Sequence, residues 1–251
     1  MTRLLLTMLV LPTLAGCASE SRFAMGMPDD AEQPLMPVWS VIGTSVQQRD
    51  IRAAVIGTPA ATADEVVLVV GGIHGNEQAG IALAERLLDE ASRGDWLGSR
   101  HLVVVPVLNP DGVASNTRRN ARNVDLNRNW PSTNRIDQAS NSGPAPLSEP
   151  ESAALAALIE EVRPDRVLTL HQPLSCVDWD GPAESLARRM SAACGLPAKK
   201  LGGRPGSMGS YLGLDLGTPI ITLELPRTAD QQPPAARWTT YGPALRVFVE
   251  G

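Results

Sequence analysis

The stretch VVLVVGGIHGNEQAG, Val66–Gly80, decides how the rest of the chain is read. Its opening run of valine and leucine has no polar residue in alternation, the mark of a strand buried on both faces. This strand is expected to span Glu65–Val70. Gly71 and Gly72 then break it. After Glu77, Ala, Ile and Leu recur at helical spacing, which predicts a helix to about Ser92. His74 and Glu77 stand between strand and helix, and the chain spends one of only three histidines there.

The same rhythm repeats outward from that unit. HLVVVPVLN (His101–Asn109) and DRVLTLHQ (Asp165–Gln172) read as further buried strands, and TPIITLELP (Thr218–Pro226) as a fourth. Val38–Val46 and Ile51–Ile56 alternate well enough to form a leading pair. SEPE at Ser148 has the form of a capping box ahead of the helix SAALAALIEEV. Helices are also expected over Pro182–Cys194 and Pro234–Val249. Buried strands alternating with helices predict an α/β fold, a mostly parallel mixed sheet with helices on both faces. Ligands of such sheets collect at the carboxyl ends of the strands.

Composition narrows the class. A chain of 251 residues with 43% hydrophobic side chains can bury a full core, and a formal charge of −5 argues against general nucleic-acid binding. The first 17 residues, MTRLLLTMLVLPTLAGC, have a basic start, a short apolar core and small residues before Cys17. They read as a secretory signal. The ending Leu14-Ala15-Gly16-Cys17 resembles a bacterial lipoprotein cleavage box, which implies lipid on Cys17 and an exported protein anchored in the envelope. Ala18 after the cysteine favours, by resemblance to sorting in enteric bacteria, the outer membrane facing the periplasm. Residues 18–37 read as a tether and residues 38–251 as the catalytic domain. Cys176 and Cys194 are left to form either a disulfide or two separate buried thiols, both compatible with export.

Asn109–Leu147 breaks the strand–helix rhythm. So long a segment without periodicity is usually functional or disordered. Val124, Leu126 and Trp130 are interleaved with its arginines and asparagines, so part of it should pack inward. Beside it, the strand ends bring together His74, Glu77, His171 and Glu224. Taken singly, His74 could be a capped loop histidine, His171 a satisfied core residue, and Glu224 a surface partner of Arg227. Together, two histidines and a glutamate make a catalytic zinc set with the fourth position open, and Glu224 is the natural carboxylate for proton transfer. His101 begins its strand at the opposite edge and reads as structural.

HGNE, NPDG, RRNARNVDLNRNWP, LHQPLSCVDWDGPA and GSMGSYLGLDLGTPIITLELP follow in that order from His74 to Pro226. In these elements the chain resembles the zinc carboxypeptidase superfamily, and within it the short bacterial branch that includes murein peptide amidases. The resemblance implies one zinc per chain on His74, Glu77 and His171, with Glu224 as general base. It implies that Arg118 polarises the scissile carbonyl and that Asn127 and Arg128 hold the substrate's terminal carboxylate. The activity implied is hydrolysis of the carboxyl-terminal amide bond of a small peptide, a murein peptide cut between γ-D-glutamate and diaminopimelate. The rival readings are a zinc deacylase of N-acyl amino acids, resembling aspartoacylase or succinylglutamate desuccinylase, and a lipoprotein that binds wall peptides without cutting them. One departure stands out: where the family carries a mobile tyrosine this chain reads KKLGGRPGS, and Tyr211 lies beyond that element.

Overall fold

The computed structural model describes residues 35–137 and 141–251. The tether apart from its last three residues, the signal segment and Cys17 lie outside the described residues. Seven strands form one mixed sheet: β1 (Val38–Thr44), β2 (Asp50–Gly57), β3 (Glu65–Val70), β4 (Arg100–Val105), β5 (Arg166–His171), β6 (Leu174–Asp180) and β7 (Ile220–Pro226), in the order β1-β2-β4-β3-β5-β7-β6. The four central strands run parallel, while β1, β2 and β6 are antiparallel to their neighbours. The helices are α1 (Gln78–Ala91), α2 (Pro110–Ser115), α3 (Pro150–Val162), α4 (Glu184–Cys194) and α5 (Pro234–Glu250).

Side-chain alternation divides the core between the two faces of the sheet. Val67 and Val69 of β3 join Leu83 and Leu87 of α1, Met190 of α4 and Phe248 of α5 on one face. Leu68 and Val70 point the other way, into a second cluster with Leu155 of α3, Leu126 and Trp130. Both faces of β3 are therefore covered, which is why its sequence is apolar without alternation. Leu68 is fully buried, so its truncation to alanine is worth about 2–5 kcal/mol. The path from β3 through α1 to β4 and then through α3 to β5 puts β4 and β5 on opposite sides of β3. The chain thus reverses direction across the sheet between β3 and β5, where α/β sheets open a crevice.

Four local readings are corrected. The strand expected to run to Asn109 ends at Val105. Asn109 instead caps α2, its Oδ1 accepting from the Gly112 amide at 2.9 Å with Pro110 in the first turn. The SEPE box does not close: Glu149 is the N-cap of α3 without a side-chain cap. Asn129 takes that role's donors and acceptors, donating to the Ser148 hydroxyl at 3.0 Å and accepting from the Glu149 amide at 3.1 Å. Two elements went unread as structure, the strand β6 and a π-helical turn at Gly209–Asp215. Among the described residues no helix is long and apolar enough to cross a membrane.

The Arg/Asn-rich loop packs inward as expected: Val124, Leu126 and Trp130 are buried. Its asparagines supply the hydrogen bonds that periodic structure would have made. Asn120 Oδ1 accepts from the Arg122 and Val124 amides, and its Nδ2 donates to the buried carboxylates of Glu149 and Glu151. Asn129 Nδ2 donates to Ser142 and Ala145 carbonyls as well as to Ser148. Cys176 and Cys194 are two separate buried thiols. Cys176 pairs in register with Glu224 and points to that residue's face of the sheet, whereas Cys194 packs in the α1–α5 cluster on the other. The sheet itself stands between them.

Candidate active site

His74 and Glu77 lie on a single turn between β3 and α1, with the Glu77 amide donating to the His74 carbonyl. His171 is the last residue of β5, the neighbouring strand across the reversal point. The ligand atoms of these three residues lie within 4.8 Å of one another, and all three side chains are buried. His74 Nδ1 is 2.9 Å from Glu77 Oε1, His171 Nδ1 is 2.9 Å from Glu77 Oε2, and the two Nδ1 atoms are 3.0 Å apart. Two imidazole nitrogens and a carboxylate, sequestered and facing a common point, are the donor set that suits zinc.

Asp125 orients that set. It accepts from His74 Nε2 at 3.0 Å and from Arg118 Nε at 3.1 Å, and its other role is to cap the 3-10 turn Leu126–Arg128 through the Asn127 amide. Holding the proton on Nε2 leaves the Nδ1 lone pair of His74 directed at the ligand point. Burial works against the charge on Asp125, but His74, Arg118 and Arg128 hold its carboxyl well below the usual range. Burial likewise opposes Glu77, and the His171 and His74 rings bring its carboxyl down to about 2. Sequence reading missed Asp125. The signal was present, since it is the single acid between Thr117 and Pro131 in a run of arginines and asparagines.

Glu224 sits on β7 directly opposite His171 in the parallel register, so both side chains project from the same face. It is half-buried, and its Oε2 accepts from the Leu174 amide at 3.3 Å. Arg118, Asn127 and Arg128 complete the site. Arg118 Nη1 donates to Glu77 Oε1 at 3.0 Å. Asn127 Oδ1 accepts from the Met208 amide at 2.9 Å, and its Nδ2 lies 3.5 Å from His171 Nε2. The structure therefore brings every candidate except the lipidation site together: His74, His171, Glu224, Arg118, Asn127 and Arg128 line one cleft of about 240 Å³, and Glu77 is buried against His74, His171 and Arg118. His101 is apart from it, its Nδ1 2.8 Å from the Thr58 carbonyl. Tyr211 is also apart, stacked on Trp130 at 5.9 Å. Where the family tyrosine is expected, Leu201, Gly202 and Arg204 border the cleft.

The arrangement offers a buried donor set that could hold a cation, with the Glu224 carboxylate and two arginines on the same cleft. Comparison with known proteins agrees. The family profile described as zinc carboxypeptidase matches residues 31–176. The murein peptide amidase A of Escherichia coli K12 is 36% identical over 195 residues, covering 69% of this chain and 77% of that protein. The protein of the same name from Vibrio campbellii is 34% identical over 177 residues, covering 63% and 68%. The crystal structure of the murein-tripeptide amidase from Escherichia coli O157 superposes with a TM-score of 0.70 at 28% identity, over 90% of this chain and 97% of that one.

Proposed function

The chain belongs to the zinc carboxypeptidase family, and from that premise we propose that it removes diaminopimelate from murein peptides by hydrolysing the γ-D-glutamyl–diaminopimelate bond. The observation that carries this reading is the convergence of His74, Glu77 and His171 with Glu224, Arg118, Asn127 and Arg128 on one cleft. In this reading His74, Glu77 and His171 would hold one zinc ion, which would supply a Lewis acid able to polarise a carbonyl and lower the pKa of water to about 7.

Glu224 takes the proton of the attacking water as the new C–O bond forms, then delivers it to the departing nitrogen as the C–N bond breaks. The Leu174 amide donates to one of its oxygens, Oε2, at 3.3 Å. Arg118 stabilises the charge that develops on the carbonyl oxygen. Arg128 and Asn127 receive the free carboxylate beside the scissile bond, the guanidinium supplying a two-pronged match. The murein substrate is supported by the names of the relatives at 36% and 34% identity.

Purified, zinc-loaded protein should release diaminopimelate from L-Ala-γ-D-Glu-diaminopimelate, and amidating the carboxylate next to the scissile bond should slow the reaction strongly. Cleavage only of an ordinary peptide with a free carboxyl end would keep the chemistry and reject the wall substrate. A preference for an N-acyl amino acid would move the chain to deacylation. The leader carries a second part of the proposal: residues 1–17 direct export, Cys17 is lipidated, and the protein stands on the outer membrane facing the periplasm. Cys17→Ser should shift the protein from the membrane fraction to a soluble or unprocessed form. Recovery of the unaltered protein in the soluble fraction would reject the anchor.

A further inference from the structure

The face of the sheet that carries His171 and Glu224 continues away from the strand ends as a polar row. One pair inward, Thr169 lies opposite Thr222, and Thr222 opposite Asp178; the next pair inward brings Ile220 opposite Asp180. Alternation along β6 therefore puts Asp178 and Asp180 on the face of Glu224, and both border the cleft. Both are more than nine-tenths buried. Asp178 Oδ1 accepts from the Leu201 amide at 2.8 Å. Asp180 Oδ1 has no hydrogen-bond partner, and among the described residues neither aspartate is in a salt bridge.

A buried carboxylate without a partner is costly, so its retention needs a reason. Burial pushes both carboxyls up, and the negative charge of Asp178 raises that of Asp180 further. The cations in the vicinity act through space only: Arg204 lines the cleft, and the Lys200 ammonium rests over the Trp179 ring at 5.5 Å. The room around Asp180 is kept open by two glycines. A Cβ on Gly209 would stand 2.4 Å from Asp180 Oδ2, and one on Gly213 would stand 2.5 Å from Asp180 Cβ. Asp180 is thus seated in a purpose-shaped gap, with unpaired acceptor capacity beside the place where a departing residue's side chain would lie.

We propose that Asp180, assisted by Asp178, is a specificity determinant that binds an ammonium group on the side chain of the departing residue. The inference rests on reading the cleft as the seat of that residue, and it adds the feature by which the side chain is selected. An ammonium supplies the donors that Asp180 lacks and offsets one of two like charges in a site of low dielectric.

The test compares substrates that differ by that ammonium alone. One pair is L-Ala-γ-D-Glu ending in diaminopimelate or in 2-aminopimelate; the other is an ordinary blocked dipeptide ending in lysine or in norleucine. Wild-type enzyme should favour the ammonium-bearing member by roughly 10- to 100-fold in kcat/KM, the scale of a charged hydrogen bond. Asp180→Asn should bring that ratio close to one, and Asp178→Asn should lower it less. Because Asp180→Asn removes a buried unpaired charge, it should melt at or above the wild-type temperature. Calorimetric binding of free diaminopimelate against 2-aminopimelate, and of lysine against norleucine, reads the same discrimination without turnover. An unchanged ratio in Asp180→Asn, or a wild type indifferent to the ammonium in both pairs, overturns the proposal even if every peptide is hydrolysed. Discrimination in binding that Asp180→Asn abolishes, with no hydrolysis of any peptide, would uphold the ammonium site and sink the hydrolytic reading instead.

Discussion

Asp125 is the residue on which the metal set and the arginine side of the cleft both depend. One of its oxygens fixes His74 and the other holds Arg118. Asp125→Asn keeps the volume but loses the charge and one acceptor. Partners that orient metal ligands are typically worth 10- to 100-fold in metal affinity. Zinc binding measured against a chromophoric chelator should weaken by roughly that factor, and wild-type affinity in the variant would remove Asp125 from this role. Glu224→Gln makes the contrasting case, because Glu224 accepts from the Leu174 amide and, among the described residues, no hydrogen bond joins it to His74, Glu77 or His171. The variant should bind zinc and melt as the wild type does while losing roughly 10²–10⁴-fold in turnover. An active Glu224→Gln protein would exclude it as the general base. The thiols illustrate environment at the same scale: burial, then the negative charge of Glu224, pushes Cys176 up to about 11, so it is a poor nucleophile at neutral pH.

At the scale of elements, two loops must lie almost backbone to backbone for the site to form. Gly75, inside the HGNE turn, rests on the start of α2: a Cβ there would stand 1.9 Å from the carbonyl carbon of Gly112. Since the obstacle is main chain, no rotamer change relieves it. Gly75→Ala must therefore push the turn carrying His74 and Glu77 away from α2, with a cost in the range of roughly 1–3 kcal/mol typical of overpacking. Denaturant unfolding should show that loss together with weaker zinc binding. Stability unchanged from wild type would mean the turn is not clamped against α2. Asp111 secures the far side of the same helix by accepting from the Ser45 hydroxyl at 2.7 Å and from the Gln47 amide at 2.9 Å. NPDG is thereby a bracket between the β1–β2 connection and the site.

For the whole molecule, the proposed metal is a tie between neighbouring strands. His74 and Glu77 belong to the β3–α1 turn, and His171 to β5, with the sheet reversing its order between them. An ion that binds this arrangement and not the unfolded chain stabilises it by linkage, by about 2.7 kcal/mol when free metal is 100 times Kd. Chelation should abolish hydrolysis and lower the melting temperature together, and added zinc should restore both. Full activity after exhaustive chelation would contradict the assignment.

The sequence alone determined the layers of this protein and pointed to most of the residues that the fold gathers at the candidate site. Glu65–Val70 and Asp165–Gln172 announce strands covered on both faces because their short cores of Val and Leu, bounded by polar and turn residues, suit a central parallel strand. The rule that ligands gather at the carboxyl ends of such strands then singles out His74, Glu77, His171 and Glu224. What stayed illegible depended on partners distant in the chain. Ser148 has the spacing of a cap, yet Asn129, 19 residues away, claims its hydroxyl. The strand β6 was hidden because Asp178 and Asp180 look like loop residues until β7 pairs with them and the cleft is seen beside them. Asp125 is an ordinary acid in a basic loop until folding brings it within 3.0 Å of His74, 51 residues earlier. Periodicity is a property of neighbours along the chain and is written there. The satisfaction of a buried polar group belongs to whatever the tertiary fold places beside it.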